Sequence, residues 1–241
     1  MSSDPAMADG LNWYRYANNN PIMYKDPTGE RLVLNNESEE DRQTVLNDIN
    51  QYSLTQYKLD ENNELVKDKD ATKRVELEES TRKKAGLSSL HSKSYSKQID
   101  MIRKSKNTLY IRIAESDKEM LDMNEVTAIS RAGGGYTDVD SATGNVQVAI
   151  SREGPEGNAL SILNKDGSGY LDLDRGQILI HEIMGHAAPF IEYNGNSTKG
   201  REINAIEEDN KVRREIGLEE RYAEPNHIAY YPHIRRKHSI G

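Results

Sequence analysis

Gln177-Ile178-Leu179-Ile180-His181-Glu182-Ile183-Met184-Gly185-His186-Ala187-Ala188-Pro189-Phe190 places two histidines five positions apart inside an apolar run, with a glutamate beside the first. Two neutral imidazoles can each give one nitrogen to Zn²⁺, and the adjoining carboxylate is placed to take a proton from a water activated there. The usual form of this arrangement, H-E-x-x-H, spaces its histidines four apart so that both lie on one helix face. Here there is one residue more. At about 100° per residue, a spacing of five turns the second imidazole roughly 140° away from the first, where four would leave roughly 40°. A regular helix cannot chelate with both. The sequence therefore predicts a local widening, a π-bulge, of the kind found at functional sites, with Gly185 lowering the steric barrier to it.

The H-E-x-x-G-H form of residues 181–186 resembles the motif of the dipeptidyl peptidase III family of zinc peptidases, which carries the same inserted residue. In that family the third ligand is a glutamate in an E-x-x-A context on a later helix. Glu202-Ile203-Asn204-Ala205 fits, sixteen residues after His186. The resemblance thus implies Zn²⁺ held by His181, His186 and Glu202, with Glu182 as general base in a gluzincin-type site. It covers these motifs alone and carries over no substrate.

Composition narrows the alternatives. The chain has 241 residues, enough for one ordinary domain with or without an appendage. Only 35% of residues are hydrophobic, so the core is expected to be lean and the loops long. A formal net charge of -8 opposes nonspecific attachment to nucleic acid or to an anionic membrane, which counts against a nuclease. With no cysteine, any zinc site must be built from His and carboxylate. No segment is long and apolar enough to span a bilayer, and the N-terminus lacks the form of a signal peptide, so stable membrane insertion is not expected and export would depend on a carrier.

Residues 4 to 29 differ from the rest, with the only Trp and dense Asn, Pro and Gly among interleaved tyrosines. The string Gly10-Leu11-Asn12-Trp13-Tyr14-Arg15-Tyr16, continuing to Asp26-Pro27-Thr28-Gly29, resembles the last segment of an RHS/YD-repeat core. In such proteins, including C components of Tc toxins and RHS effectors, a variable toxin follows this segment. The resemblance implies a division into residues 1–29, the end of the RHS core and flexible in isolation, and residues 30–241, the toxin domain. It also implies that Asp26, in the last motif, and Asp4, a candidate match to an earlier one, belong to the self-cleaving machinery of the shell, inactive without that shell. An RHS shell as carrier, a target-cell protein as substrate, a cognate immunity protein if the toxin is antibacterial, and action in the target-cell cytoplasm after secretion or delivery follow as expectations.

The remaining sequence predicts an α+β domain, zincin-like, with a small mixed or antiparallel sheet and an active-site helix. Leu32-Val33-Leu34 is a short strand, and Ser38 caps a helix to about Tyr52. Tyr57-Lys58-Leu59 and Glu64-Leu65-Val66 flank a turn and form a hairpin. The charged stretch that follows is read as solvated helices, with one over Tyr95 to Ile102. Thr108 to Ile113 and Asn145 to Ile150 alternate as strands, and Glu125 to Ile129 is a further strand candidate. The strand at 145–150 is assigned as the edge that pairs with an extended substrate. Gly133-Gly134-Gly135-Tyr136 lacks the G-K-[ST] of a phosphate loop and is read as a flexible turn.

Asp166-Gly167-Ser168-Gly169 is another turn, without the spacing of a calcium loop. Asp172 or Asp174 caps the active helix, which is expected to end before Pro189. A last helix spans Arg201 to Gly217 with Glu202 turned inward. Of its acidic residues, Glu207, Glu208 and Asp209 form a solvated face, although one of them, or Asn210, could steady a ligand histidine. His227, Tyr230 and Tyr231 are candidates for the donor that stabilises an oxyanion, with His227 and Tyr230 preferred. Two other functions stay open on sequence grounds: a metal-binding module that binds a host protein without cutting it, and a different hydrolase such as a nuclease.

Overall fold

Ser38 shows how local sequence becomes structure in this chain. Its hydroxyl accepts the amide of Asp41 at 3.3 Å and starts α1 (Glu39–Tyr52), whose first turn carries three acidic residues at the positive end of the helix dipole. The structure is a computed structural model and describes residues 32–36, 38–114, 129, 133–140, 143–155, 162–193, 199–200 and 202–229. The RHS-like segment, most of the strand expected at 125–129, Tyr230 and Tyr231 lie outside these residues.

The architecture is α+β with a small mixed sheet. Strands β1 (Leu32–Leu34), β4 (Leu109–Ile113), β5 (Gly135–Val139) and β6 (Val146–Ile150) form one sheet in the order β1-β4-β6-β5. β1, β4 and β6 run parallel, and β5 is antiparallel to β6. A separate hairpin joins β2 (Tyr57–Leu59) to β3 (Leu65–Lys67), as expected. Its turn uses Asn63 at φ 60, a conformation that asparagine tolerates.

Alternation along the strands turns Leu32, Leu34, Leu109, Ile111, Ile113, Val146, Val148 and Ile150 into the core. α1 packs on β1 and β4, and the helix bearing the histidines packs on β6 and β5. Of the helices between β3 and β4, α2 (Lys69–Lys84) buries no residue, in keeping with a solvated helix, while α3 (Lys93–Arg103) buries Tyr95, Ile99 and Ile102.

Three expectations change. The strand at 145–150 is interior, because Gly135–Val139 pairs outside it and is the outermost strand among the described residues. The triple glycine therefore leads into a strand rather than forming a turn alone. The active helix does not end before Pro189: it continues as α5 (Ala188–Glu192), with the proline in the first turn, where a missing N–H is tolerated. Finally, α6 (Ala205–Glu215) starts later than expected, because the side chain of Asn204 accepts the amides of Ile206 and Glu207 and caps the helix there. It ends at Gly217, φ 71, in the expected left-handed position.

Candidate metal centre

α4 (Arg175–His181) begins at Asp174, one of the two caps the sequence offers, whose carboxylate accepts the amide of Gln177 at 2.8 Å. Immediately after His181 the chain widens into a π-helical segment, Glu182–Ala187, in which the amide of Ala188 reaches the carbonyl of Ile183. Hydrogen bonding to the fifth residue back stacks residues five apart. His181 and His186 consequently face each other, with ring centroids 5.1 Å apart and planes at 89°. Gly185 serves this geometry through contact: a Cβ there would lie 2.8 Å from the carbonyl oxygen of Ala205, so the π segment can press against the start of α6.

The third group is His227. Its ring centroid lies 5.1 Å from that of His181 and 5.4 Å from that of His186, so the three imidazoles form a nearly equilateral triangle. One nitrogen from each lies within 4.8 Å of the others, close enough to hold a metal ion. His227 arrives on a segment stitched by backbone to the beginning of α6. The amide of Ala205 donates to the carbonyl of His227 at 2.8 Å, and the amide of Ala229 to Ile203 at 2.9 Å. Sequence reasoning named His227 as an oxyanion donor; the structure brings it into the histidine cluster itself.

Glu202 is not brought there. It precedes the capped start of α6, its side chain is 61% exposed, and its carboxylate lies 3.5 Å from Lys199 Nζ. Asn204 as cap is the physical reason, since it leaves Glu202 in the turn before the helix.

The surroundings fit the donors for a cation. His186 Nδ1 lies 2.8 Å from the Ala229 carbonyl, which only accepts, so the proton sits on Nδ1 and Nε2 keeps its lone pair. His181 Nδ1 faces Asp209, 3.8 Å from Oδ2, which selects the same tautomer. His181 Nε2 and His227 Nε2 are 3.1 Å apart. Two ring nitrogens at that distance need a positive centre between them, either a proton or a metal ion that takes a lone pair from each. Burial, aided by the positive Arg221, holds His181 well below the usual histidine pKa, and burial with His186 and Arg221 brings His227 down to about 3. Both imidazoles are thus neutral at pH 7, as ligation requires.

Behind His181, Asp209 is fully buried and bonded to Arg221 at 2.8 Å. Burial pushes its carboxyl upward in pKa, against the pull of Arg221 and Arg213. The acidic face of α6 is therefore not solvated throughout, because Asp209 turns inward. Asn210 holds the backbone of Arg221 on both sides, through N–H at 2.8 Å and C=O at 2.9 Å. Asp209 Oδ1 and His181 Nδ1 are both buried without a hydrogen-bond partner.

Glu182 is buried against β5. The Thr137 hydroxyl donates to Oε2 at 2.5 Å. Gly135 leaves room for the side chain, since a Cβ there would lie 2.7 Å from both Cγ and Oε1. Burial raises the carboxyl's pKa, opposed by His186 and Thr137. Thr137, Gly135 and Arg221 were not singled out from sequence. A signal existed only for Gly135, in the triple glycine. Comparison of the chain with models of protein families, with curated proteins and with solved structures gives no match.

Proposed function

We propose that the chain is a zinc-dependent endopeptidase whose metal is held by His181, His186 and His227, with Glu182 as general base. The convergence of three imidazoles on one point beside a buried carboxylate carries this reading. Three neutral nitrogen donors suit zinc, and three protein ligands leave a position open, as in catalytic rather than structural sites. A zinc ion there supplies a Lewis acid that polarises the scissile carbonyl and activates water for attack. Glu182 accepts the proton of the attacking water and returns it to the leaving amine, and its raised pKa favours both halves of that transfer. β5, the outermost strand of the sheet among the described residues, packs against the π segment that carries Glu182.

The zincin-like classification belongs to this proposal, in a three-histidine form rather than the gluzincin form with Glu202. The role as toxic cargo of an RHS or Tc-type toxin, delivered into a target cell and neutralised by an immunity partner, rests on the resemblance of residues 4–29. No helix among the described residues is long and apolar enough to cross a membrane.

The test is elemental analysis of the purified protein, followed by incubation of zinc-loaded protein with a cell lysate and mass spectrometry of newly formed amino termini. One zinc per chain and new termini that disappear with Glu182→Gln are expected. Zinc retained by Glu182→Gln with toxicity unchanged would make the chain a binder instead, and new termini that persist in that variant would refute Glu182 as the base. A protein that takes up no zinc refutes the proposal.

A further inference from the structure

We propose that Thr137 is the positioning residue of Glu182, holding one carboxylate oxygen so that the carboxylate keeps one orientation for proton transfer. The inference rests on the peptidase reading above and deepens it. Residues two apart on a strand share a face, so Gly135 and Thr137 of β5 both turn toward the π segment.

Their roles are complementary. At Gly135 the bare backbone forms a wall against Glu182 Cγ and Oε1, and the same glycine admits Ile178, four residues before Glu182, whose Cγ2 would be 2.8 Å from a Cβ. At Thr137 the hydroxyl donates to Oε2 at 2.5 Å. An ionised carboxylate only accepts, so this bond has one direction. Threonine is stiff at χ1, and the hydroxyl's aim is therefore set by the strand. A wall on one side and a donor on the other leave the Glu182 carboxylate a single orientation. β5 thus aligns the base from the sheet face that packs on the π segment.

The experiment compares Thr137→Val, which keeps the volume and removes the hydroxyl, with Thr137→Ser, which restores the hydroxyl, and with Thr137→Ala, which adds no new volume. Each zinc-loaded full chain is assayed for zinc content, melting temperature, and kcat and KM on a peptide spanning a cleavage site found in the lysate. Thr137→Val and Thr137→Ala should hold one zinc per chain with KM within about twofold of the parent, while kcat falls about ten- to a hundredfold, the usual effect of an outer partner. Thr137→Ser should recover kcat to within about threefold of the parent. A hydroxyl-free variant as fast as the parent overturns the assignment, as does a serine variant as slow as the valine. A parent that holds zinc and cleaves nothing overturns the peptidase reading and this assignment together.

Discussion

Gly185→Ala tests whether the π segment is held by contact or by backbone freedom. The added Cβ would sit 2.8 Å from the Ala205 carbonyl oxygen, 2.9 Å from its Cβ and 3.2 Å from its carbonyl carbon. Favourable contacts between carbon atoms lie at about 3.5–4.0 Å, so Ala205 must retreat by roughly 0.6 Å. Ala205 is fully buried and its amide holds the His227 carbonyl. Overpacking of this kind costs about 1–3 kcal/mol, and a backbone neighbour places this case in the upper half of that range. Alanine returns up to about 1 kcal/mol through helix propensity. The net loss is about 1–2 kcal/mol, or a fall in Tm of about 2–8 °C for a chain of this size. Because Ala205 carries His227, zinc affinity should fall about tenfold as well, since such sites tolerate only about 0.5 Å of displacement. Thermal melts and zinc competition with a chromophoric chelator measure both quantities. Gly185→Ser, which brings one more atom into the same space, should fall further. Unchanged Tm and affinity in Gly185→Ala, or equal losses in the two variants, would refute the contact argument.

Three more outcomes are expected. His227→Ala should lower zinc affinity by about a hundredfold or more, while Glu202→Ala, which removes an exposed carboxylate, should stay within about threefold; chelator competition reads both. Asp209→Asn removes the carboxylate bonded to the buried Arg221 and should cost about 3–5 kcal/mol in urea unfolding. In protein stripped of metal by EDTA, burial holds the folded pKa values of His181 and His227 below the unfolded value of about 6.5. A depressed pKa contributes stability above pH 6.5 that is lost as pH falls below it. His227, at about 3 when folded, should alone account for about 2 kcal/mol between pH 7 and pH 5, and a Tm that rises on acidification would contradict this.

The parts of the fold legible in sequence are those governed by neighbours in the chain. Ser38 and Asp174 are caps because a short polar side chain reaches an amide two or three residues on. Val146 to Ile150 is a strand because its alternation is local. The π segment followed from arithmetic on one helix: a five-residue interval between two imidazoles beside a glutamate leaves a regular helix no common point. What sequence could not supply was pairing order. Alternation identifies a strand without saying what lies beside it, so β6 was given the outermost place that β5 holds among the described residues. The glycines at 133–135 looked permissive, whereas Gly134 and Gly135 are needed for close approach, to Ile178 and to Glu182.

The third ligand makes the same point at the level of the site. The motif Glu202-Ile203-Asn204-Ala205 does lie beside the two histidines, but its contribution runs through backbone. Asn204 caps α6, Ala205 N–H holds the His227 carbonyl, and the Ile203 carbonyl accepts from Ala229, whose own carbonyl accepts from His186 Nδ1. The last three of those bonds fix an imidazole or the segment that carries one. A carboxylate motif and a backbone clamp look alike in a linear string, because the side chain of Glu202 is visible there and the amide of Ala205 is not. The distinction is measurable. Glu202 should be replaceable without loss of metal, while Gly185, which shares contact with Ala205, and His227 should not.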